Sequence, residues 1–199
     1  ATIDHLGLIV SSIMSKKLAV KANALVLDVK TGSGAFTQST KSALKLCRTM
    51  VMMGEAAGRP VTGFITRMDQ PLGLCIGNAL EVTEALAALR GEGPGDLMEV
   101  TFALAEAAME FARINGDQAG RRQALQSAID SGKALELFAR WVHAQKGDAR
   151  CCEDSSLLPR AALTESVYAS RTGFLTAMDA RETGLAAHAA GAGRNRPGE

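Results

Sequence analysis

Apolar residues return at a helical period from His5 to Lys21, where Leu6, Ile9, Ile13 and Leu18, with Val10 and Met14, mark one side of a helix. Asp4 stands where an N-cap is expected. Asn23 breaks the period, and the run Ala24-Leu25-Val26-Leu27-Asp28-Val29 that follows is short, branched and almost continuously apolar. Such a run predicts a strand buried on both faces, as in parallel sheets. Lys30-Thr31-Gly32-Ser33-Gly34-Ala35-Phe36 reads as a glycine-rich turn, and a helix is expected from about Ser39 to Ala57. After the turn Gly58-Arg59-Pro60, a second buried strand is expected over Val61 to Met68, with Asp69-Gln70-Pro71-Leu72-Gly73 as another loop at the same edge. Two successive strand–helix units predict a parallel, doubly wound sheet.

A helix is expected from Gly77-Asn78 through Leu89, with Glu81 and Glu84 one turn apart, and Gly91 to Gly95 reads as a loop. Three helices without an intervening strand are predicted next, over Asp96 to Ile114, Asp117 to Ser131 and Lys133 to Ala144. Met98, Phe102, Ala105, Met109 and Ala112 form a stripe expected to pack in the core, and Phe138 and Trp141 are also read as packing residues. His143 reads as a surface histidine near a helix end. Gly147 to Ser156 is polar and loop-like. From Leu158-Pro159 the pattern changes to alternating β-type residues over Ala162 to Ala169 and Gly173 to Met178, before a helix from Ala180 to Ala190. The fold class expected is therefore α/β, a parallel or mixed sheet flanked by helices, with a boundary near Leu158.

Composition narrows the function more than the fold. At 199 residues the chain can bury one substantial core, and its formal charge of +1 offers no basic footprint for nucleic acid. One Trp and one Tyr argue against a platform for stacking bases. Cys47, Cys75, Cys151 and Cys152 have no Cys-x-x-Cys spacing and no nearby pair of histidines, so a structural zinc site is not expected. The vicinal Cys151-Cys152 reads either as a redox pair or as two free thiols in a loop, and the second suits a reducing cytosol better. No apolar run approaches the length of a membrane span, and a cytoplasmic location is expected. The opening Ala1-Thr2-Ile3-Asp4, where a helix reads as already under way, and the closing Gly191 to Pro197 both read as cuts through a longer protein.

Candidate chemistry begins on the first helix. Ser12 and Lys16 are four apart, which stacks a hydroxyl over an ammonium on one face, an arrangement suited to a planar ligand bearing carbonyls. On spacing alone the commoner meaning of such a face is solvation. A strand feeding Gly32-Ser33-Gly34 and then a helix places that turn at the carboxyl edge of the sheet, where α/β folds bind ligands. The turn lacks both the full dinucleotide fingerprint and the Gly-Lys-Ser/Thr of a P-loop, so a tight connection without a ligand fits it equally well.

Taken in register, several segments resemble the pyrimidine-nucleoside phosphorylases, the family that includes thymidine phosphorylase. They are Ser12 to Lys17, Ala24 to Lys30 with Gly32 to Phe36, Met68 to Gly73, Gly77 to Val82, Leu158-Pro159 and Gly191 to Arg194. The resemblance runs along essentially the whole chain. It implies reversible phosphorolysis, in which a pyrimidine (deoxy)nucleoside and phosphate give the free base and a pentose 1-phosphate. It implies that residues 1–22 carry a helix and hinge of a small pyrimidine-binding α domain, 23–158 a central α/β domain, and 159–199 the start of a C-terminal α+β domain.

Carried over by motif, Ser12 and Lys16 would hydrogen-bond the pyrimidine carbonyl and ring nitrogen, while Ile9 and Phe36 would line the base pocket. Leu72 and Cys75, through their backbone carbonyls, and Glu84, through its carboxylate, would match a potassium site, with Cys75 in place of a usual Ala. The resemblance implies no organic cofactor, phosphate as co-substrate, a homodimer, and no nucleic-acid or membrane partner. The family's phosphate-binding segment, its catalytic histidine and the arginine completing the pyrimidine clamp are expected upstream of Ala1; His5, His143 and His188 match none of them. Departures from the family pattern are His5-Leu6-Gly7 for Ser-hydrophobe-Pro, Arg67 for an acidic residue, and Lys146 within a Gln-Gly-Gly-Asp motif. Two alternatives stay open: a non-catalytic truncated homologue serving as a binding or assembly module, and a related transferase such as an AMP phosphorylase or anthranilate phosphoribosyltransferase. Ser12 and Lys16 in register with the glycine turn disfavour the last.

Overall fold

The computed structural model describes residues 5–114 and 116–192. Asp4, the opening residues and the closing motif from Gly193 onward lie outside the described residues. The architecture is α/β. Helix α1 (Leu6–Ala19) leads into strand β1 (Leu25–Thr31), helix α2 (Thr40–Ala56) and strand β2 (Val61–Arg67). Helices α3 (Asn78–Leu89), α4 (Gly95–Phe111), α5 (Gln118–Asp130) and α6 (Lys133–Ala144) follow. Short 3-10 turns at Ala149–Cys152 and Ser155–Leu157 lead on to helix α7 (Ala180–Ala187). Among the described residues no helix is long and apolar enough to cross a membrane.

The two strands pair in parallel, from Leu25 opposite Val61 to Thr31 opposite Arg67. With α2 as the crossover they form the expected strand–helix–strand unit. Leu27, Val29 and Val61 pack on Ala43, Leu46, Cys47 and Met50 of α2, and α1 closes this core with Val10 and Met14. The other face of β1 is polar rather than fully buried. There Lys30 Nζ pairs with Asp28 Oδ2 at 2.7 Å and donates to Thr66 Oγ1 at 2.9 Å, and Thr66 Oγ1 donates to Asp28 Oδ1 at 2.5 Å.

Two missing side chains let α2 lie this close to the sheet. A Cβ on Gly63 would stand 2.2 Å from Cys47 Sγ, and one on Gly54 would stand 2.2 Å from Val61 Cγ2. Cys47 is buried at 6% exposure, so its sulfur has little room to yield. Gly63→Ala is therefore expected to lower unfolding stability by at least about 1 kcal/mol, as overpacking does. A denaturant midpoint equal to the unsubstituted chain's would refute this contact as the determinant.

Element boundaries fall close to the expected ones, and helix ends follow their caps. Ser39 and Asp117 accept from the backbone N–H of Ser42 and Gly120 at the starts of α2 and α5. His5 occupies the cap position of α1 without a side-chain bond. The polar segment from Gly147 contains two 3-10 turns rather than plain loop, each capped by an aspartate, Asp148 and Asp154. Arg150 beside Asp148 holds that carboxyl down at about 2.

Three expectations are corrected. The alternating segments 162–169 and 173–178 form no strand among the described residues, because neither has a neighbour to complete its backbone hydrogen bonds. Their side chains stand in solvent, with Val167 at 96% and Phe174 at 97% exposure. Trp141 is not buried packing: it is mostly exposed, with its ring 5.6 Å from that of Phe138. The last helix ends at Ala187 and turns through a π-type segment, His188–Ala192, where Gly191 takes φ 96.

Candidate functional site

Helix α1 buries Val10 and Met14 against the core, which turns Ser12 and Lys16 to solvent and leaves Ile9 and Ile13 half-buried at the margin. A cleft of about 500 Å³ opens between α1 and the turn after β1. Ile13 and Lys17 line it from α1, Asp28 and Lys30 from β1, and Phe36 and Thr37 from the turn. The structure thus brings Phe36, a residue 85% exposed, across from α1. It does not place Ile9, Ser12 or Lys16 on the cleft wall. Ser12 and Lys16 each stand one residue, about 100° round the helix, from Ile13 and Lys17, whereas Ile9 lies one turn before Ile13 on the same side of α1 but outside the cleft lining.

The turn is held from several sides. Gly32 donates its N–H to Thr37 O at 3.2 Å, Thr37 Oγ1 donates to Lys30 O at 2.8 Å, and Gly34 N–H reaches Met68 O at 2.9 Å. Gly32 sits at φ 130, and a Cβ there would meet Asp69 N at 2.7 Å, so only glycine fits. Ser33 completes the attachment through its N–H to Asp69 Oδ1, at 3.2 Å, and its Oγ to Asp69 O, also at 3.2 Å.

A second cluster forms where the loop after β2 wraps round α3. Glu84 is buried at 9% exposure, and its Oε1 accepts from Leu74 N–H at 2.7 Å. Gly73, at φ 74, permits this approach, since a Cβ there would lie 2.2 Å from Glu84 Oε2. The loop is further pinned by Gly73 N–H to Asp96 Oδ2 at 3.1 Å. Burial, and then the Glu84 carboxylate beside it, push the Cys75 thiol up from its ordinary value. The carboxylate of Glu84 therefore lies within the loop that carries Leu72 and Cys75. Carboxylate and carbonyl oxygens are donors for hard cations. Among the described residues no three His, Cys, Asp or Glu side chains converge.

Sequence reasoning missed two arrangements. The Asp28–Lys30–Thr66 network carried a signal, because residues two apart on a strand share a face. The contact of Ser33 and Asp69 with Ala180, 147 residues from Ser33, carried none.

Comparison with known proteins places this α/β scaffold in a class. The description "Glycosyl transferase family, a/b domain" matches residues 4–135, more than half of the chain, and the chain belongs to that family. Its relatives are narrower in name. A thymidine phosphorylase of Mycobacterium tuberculosis (strain CDC 1551 / Oshkosh) is 48% identical over 197 residues, covering 99% of this chain and 44% of the relative. Pyrimidine-nucleoside phosphorylases of Bacillus subtilis (strain 168) and Geobacillus stearothermophilus are 44% and 42% identical, covering 97% and 98% of this chain and 45% of each relative. The chain spans less than half the length of the curated relatives it matches.

Proposed function

We propose that this chain carries the pyrimidine-binding face and α/β scaffold of an enzyme of reversible pyrimidine-nucleoside phosphorolysis, acting in pyrimidine salvage or catabolism. The observation that supports this most is the polar face of α1, Ser12 and Lys16, standing beside a cleft closed on its far side by Phe36. In the reaction, phosphate adds to the anomeric carbon of the pentose as the glycosidic bond breaks. The bonding pair leaves with the base, whose carbonyl and ring nitrogen gain negative charge. The Lys16 ammonium is assigned to stabilise that charge as it develops, and the Ser12 hydroxyl to fix the base's orientation. Ile9 and Phe36 would exclude water from the two faces of the ring.

Leu72 and Cys75 carbonyls with the Glu84 carboxylate are assigned as a potassium site, which would brace the loop after β2 without joining the chemistry. Residues 1–22, 23–158 and 159–199 are assigned to the α domain, the α/β domain and the opening of an α+β domain. The assembly proposed is a cytoplasmic homodimer that takes nucleoside and phosphate. The phosphate segment and catalytic histidine have no counterpart among these residues, so the 199-residue chain is expected to bind base but not turn it over.

The test is titration of thymine and uracil into the chain, followed by amide chemical shifts. Changes are expected at Ile9, Ser12, Lys16 and Phe36, with no release of thymine from thymidine in the presence of phosphate. Shifts confined to other surfaces would refute the assigned pocket, and robust turnover would refute the division of labour.

A further inference from the structure

The chain leaves the folded body near Leu158 and runs exposed at every position from Pro159 to Asp179. It returns at one buried residue, Ala180, which is 9% exposed and is the first residue of α7. There the Ala180 N–H, which has no partner within its own helix, donates to Asp69 O at 3.0 Å and to Ser33 Oγ at 3.2 Å. Ser33 Oγ also donates to Asp69 O, so one hydroxyl accepts from α7 and donates to the loop after β2. Gly34 makes room for the contact, because a Cβ on it would lie 2.8 Å from the Ala180 Cβ. A second approach lies further on, where a Cβ on Gly77 would come within 3.1 Å of the Ala192 Cβ. Phe36 lies three residues beyond Ser33 on the same turn.

We propose that Ser33 is a positioning residue that latches α7 to the turn carrying Phe36, so that the docking of the C-terminal segment sets the geometry of the base pocket. The consequence for ligand rests on the pyrimidine reading of Phe36; the latch itself does not. With α7 docked, Ser33 is held at Asp69 by its N–H and its Oγ, and Phe36 is presented to α1. With α7 undocked, the Ser33 Oγ and Asp69 O both lose their Ala180 donor, and the turn is left with its contacts to Met68, Thr37 and Asp69. The exposed segment before Ala180 is then the tether whose movement reaches the pocket.

Amide hydrogen exchange on the ligand-free chain reads the latch directly. Ser33→Ala is expected to speed exchange at Ala180 and across 34–37 about tenfold, the effect of losing hydrogen bonds of ordinary net strength. Ser33→Thr, which keeps the hydroxyl, is expected to restore slow exchange at both places. Gly34→Ala, which pushes on the Ala180 Cβ from the other side, is expected to reproduce the Ser33→Ala pattern. Exchange unchanged in both disrupting variants would overturn the latch, as would faster exchange at Ala180 without a change at 34–37. In the same samples thymine is expected to bind more weakly to Ser33→Ala than to the unsubstituted chain or Ser33→Thr. Equal affinity with loosened exchange would overturn the coupling to the pocket. Absence of thymine binding in the unsubstituted chain would count against the pyrimidine reading, while exchange would still decide the latch.

Discussion

On the proposed reading of α1, Lys16→Ala is expected to lower kcat/KM for phosphorolysis by about 10²–10³-fold in an active enzyme carrying these residues, a loss of roughly 3–4 kcal/mol of transition-state stabilisation. The expectation follows from where charge appears. The neutral base in the bound nucleoside has little to gain from an ammonium, whereas the departing base has an electron pair to accommodate. The effect should therefore fall on kcat as well as on kcat/KM. Lys16 stands in solvent on α1, and Val10 and Met14, not Lys16, hold the helix to the core, so the substitution should leave thermal unfolding unchanged. Lys16→Arg is expected to recover only part of the rate, because a planar fork cannot reproduce a compact point charge at one oxygen. Ser12→Ala, removing a neutral partner, should cost less than Lys16→Ala. Steady-state rates against thymidine at saturating phosphate check all three. An unchanged kcat in Lys16→Ala would remove Lys16 from the chemistry.

What could be read before the structure, and what could not, follows from the range of the forces involved. The run from Leu25 to Val29 and the run from Val61 to Ile65 are branched and apolar enough to declare strands. The caps Ser39 and Asp117 set helix starts locally, within one turn of chain. The segments around Val167 and Phe174 show the limit. Alternation says which side chains would share a face, but a strand also needs a neighbour, and no partner strand lies beside them among the described residues. Trp141 shows a related limit, since its period on α6 names a face without naming what covers it.

The candidate site divides in the same way. Four-residue spacing put Ser12 and Lys16 on one face, and the position of Glu84 one turn after Glu81 was equally visible. The direction of that face was not, because it depends on Val10 and Met14 meeting α2; the cleft wall is built by Ile13 and Lys17 instead. The meeting of Ser33 with Ala180 depends on the whole intervening chain returning to one place. No local rule reaches across 147 residues.

Arg122→Ala is expected to destabilise the fold by about 2–3 kcal/mol through a carboxylate rather than through the arginine itself. Glu106 on α4 is only 6% exposed, yet its Oε1 accepts from Arg122 Nη1 at 3.0 Å and its Oε2 from Gln118 Nε2 at 3.1 Å, both on α5. Each carboxylate oxygen thus has one donor, and the Arg122 guanidinium also lies 5.0 Å from the centre of the Phe102 ring. Removing Arg122 leaves a buried charge with a single neutral donor. The Arg122 side chain is 56% exposed, so water can partly take its place, which keeps the cost below that of a fully enclosed pair. Glu106→Gln should relieve the problem by removing the charge while keeping an acceptor at the same place. In the Arg122→Ala background it should recover stability, and alone it should cost less than Arg122→Ala does. Denaturant unfolding of the two single variants and the double variant measures the coupling. Additive costs in that cycle would mean that Glu106 and Arg122 do not act as a pair.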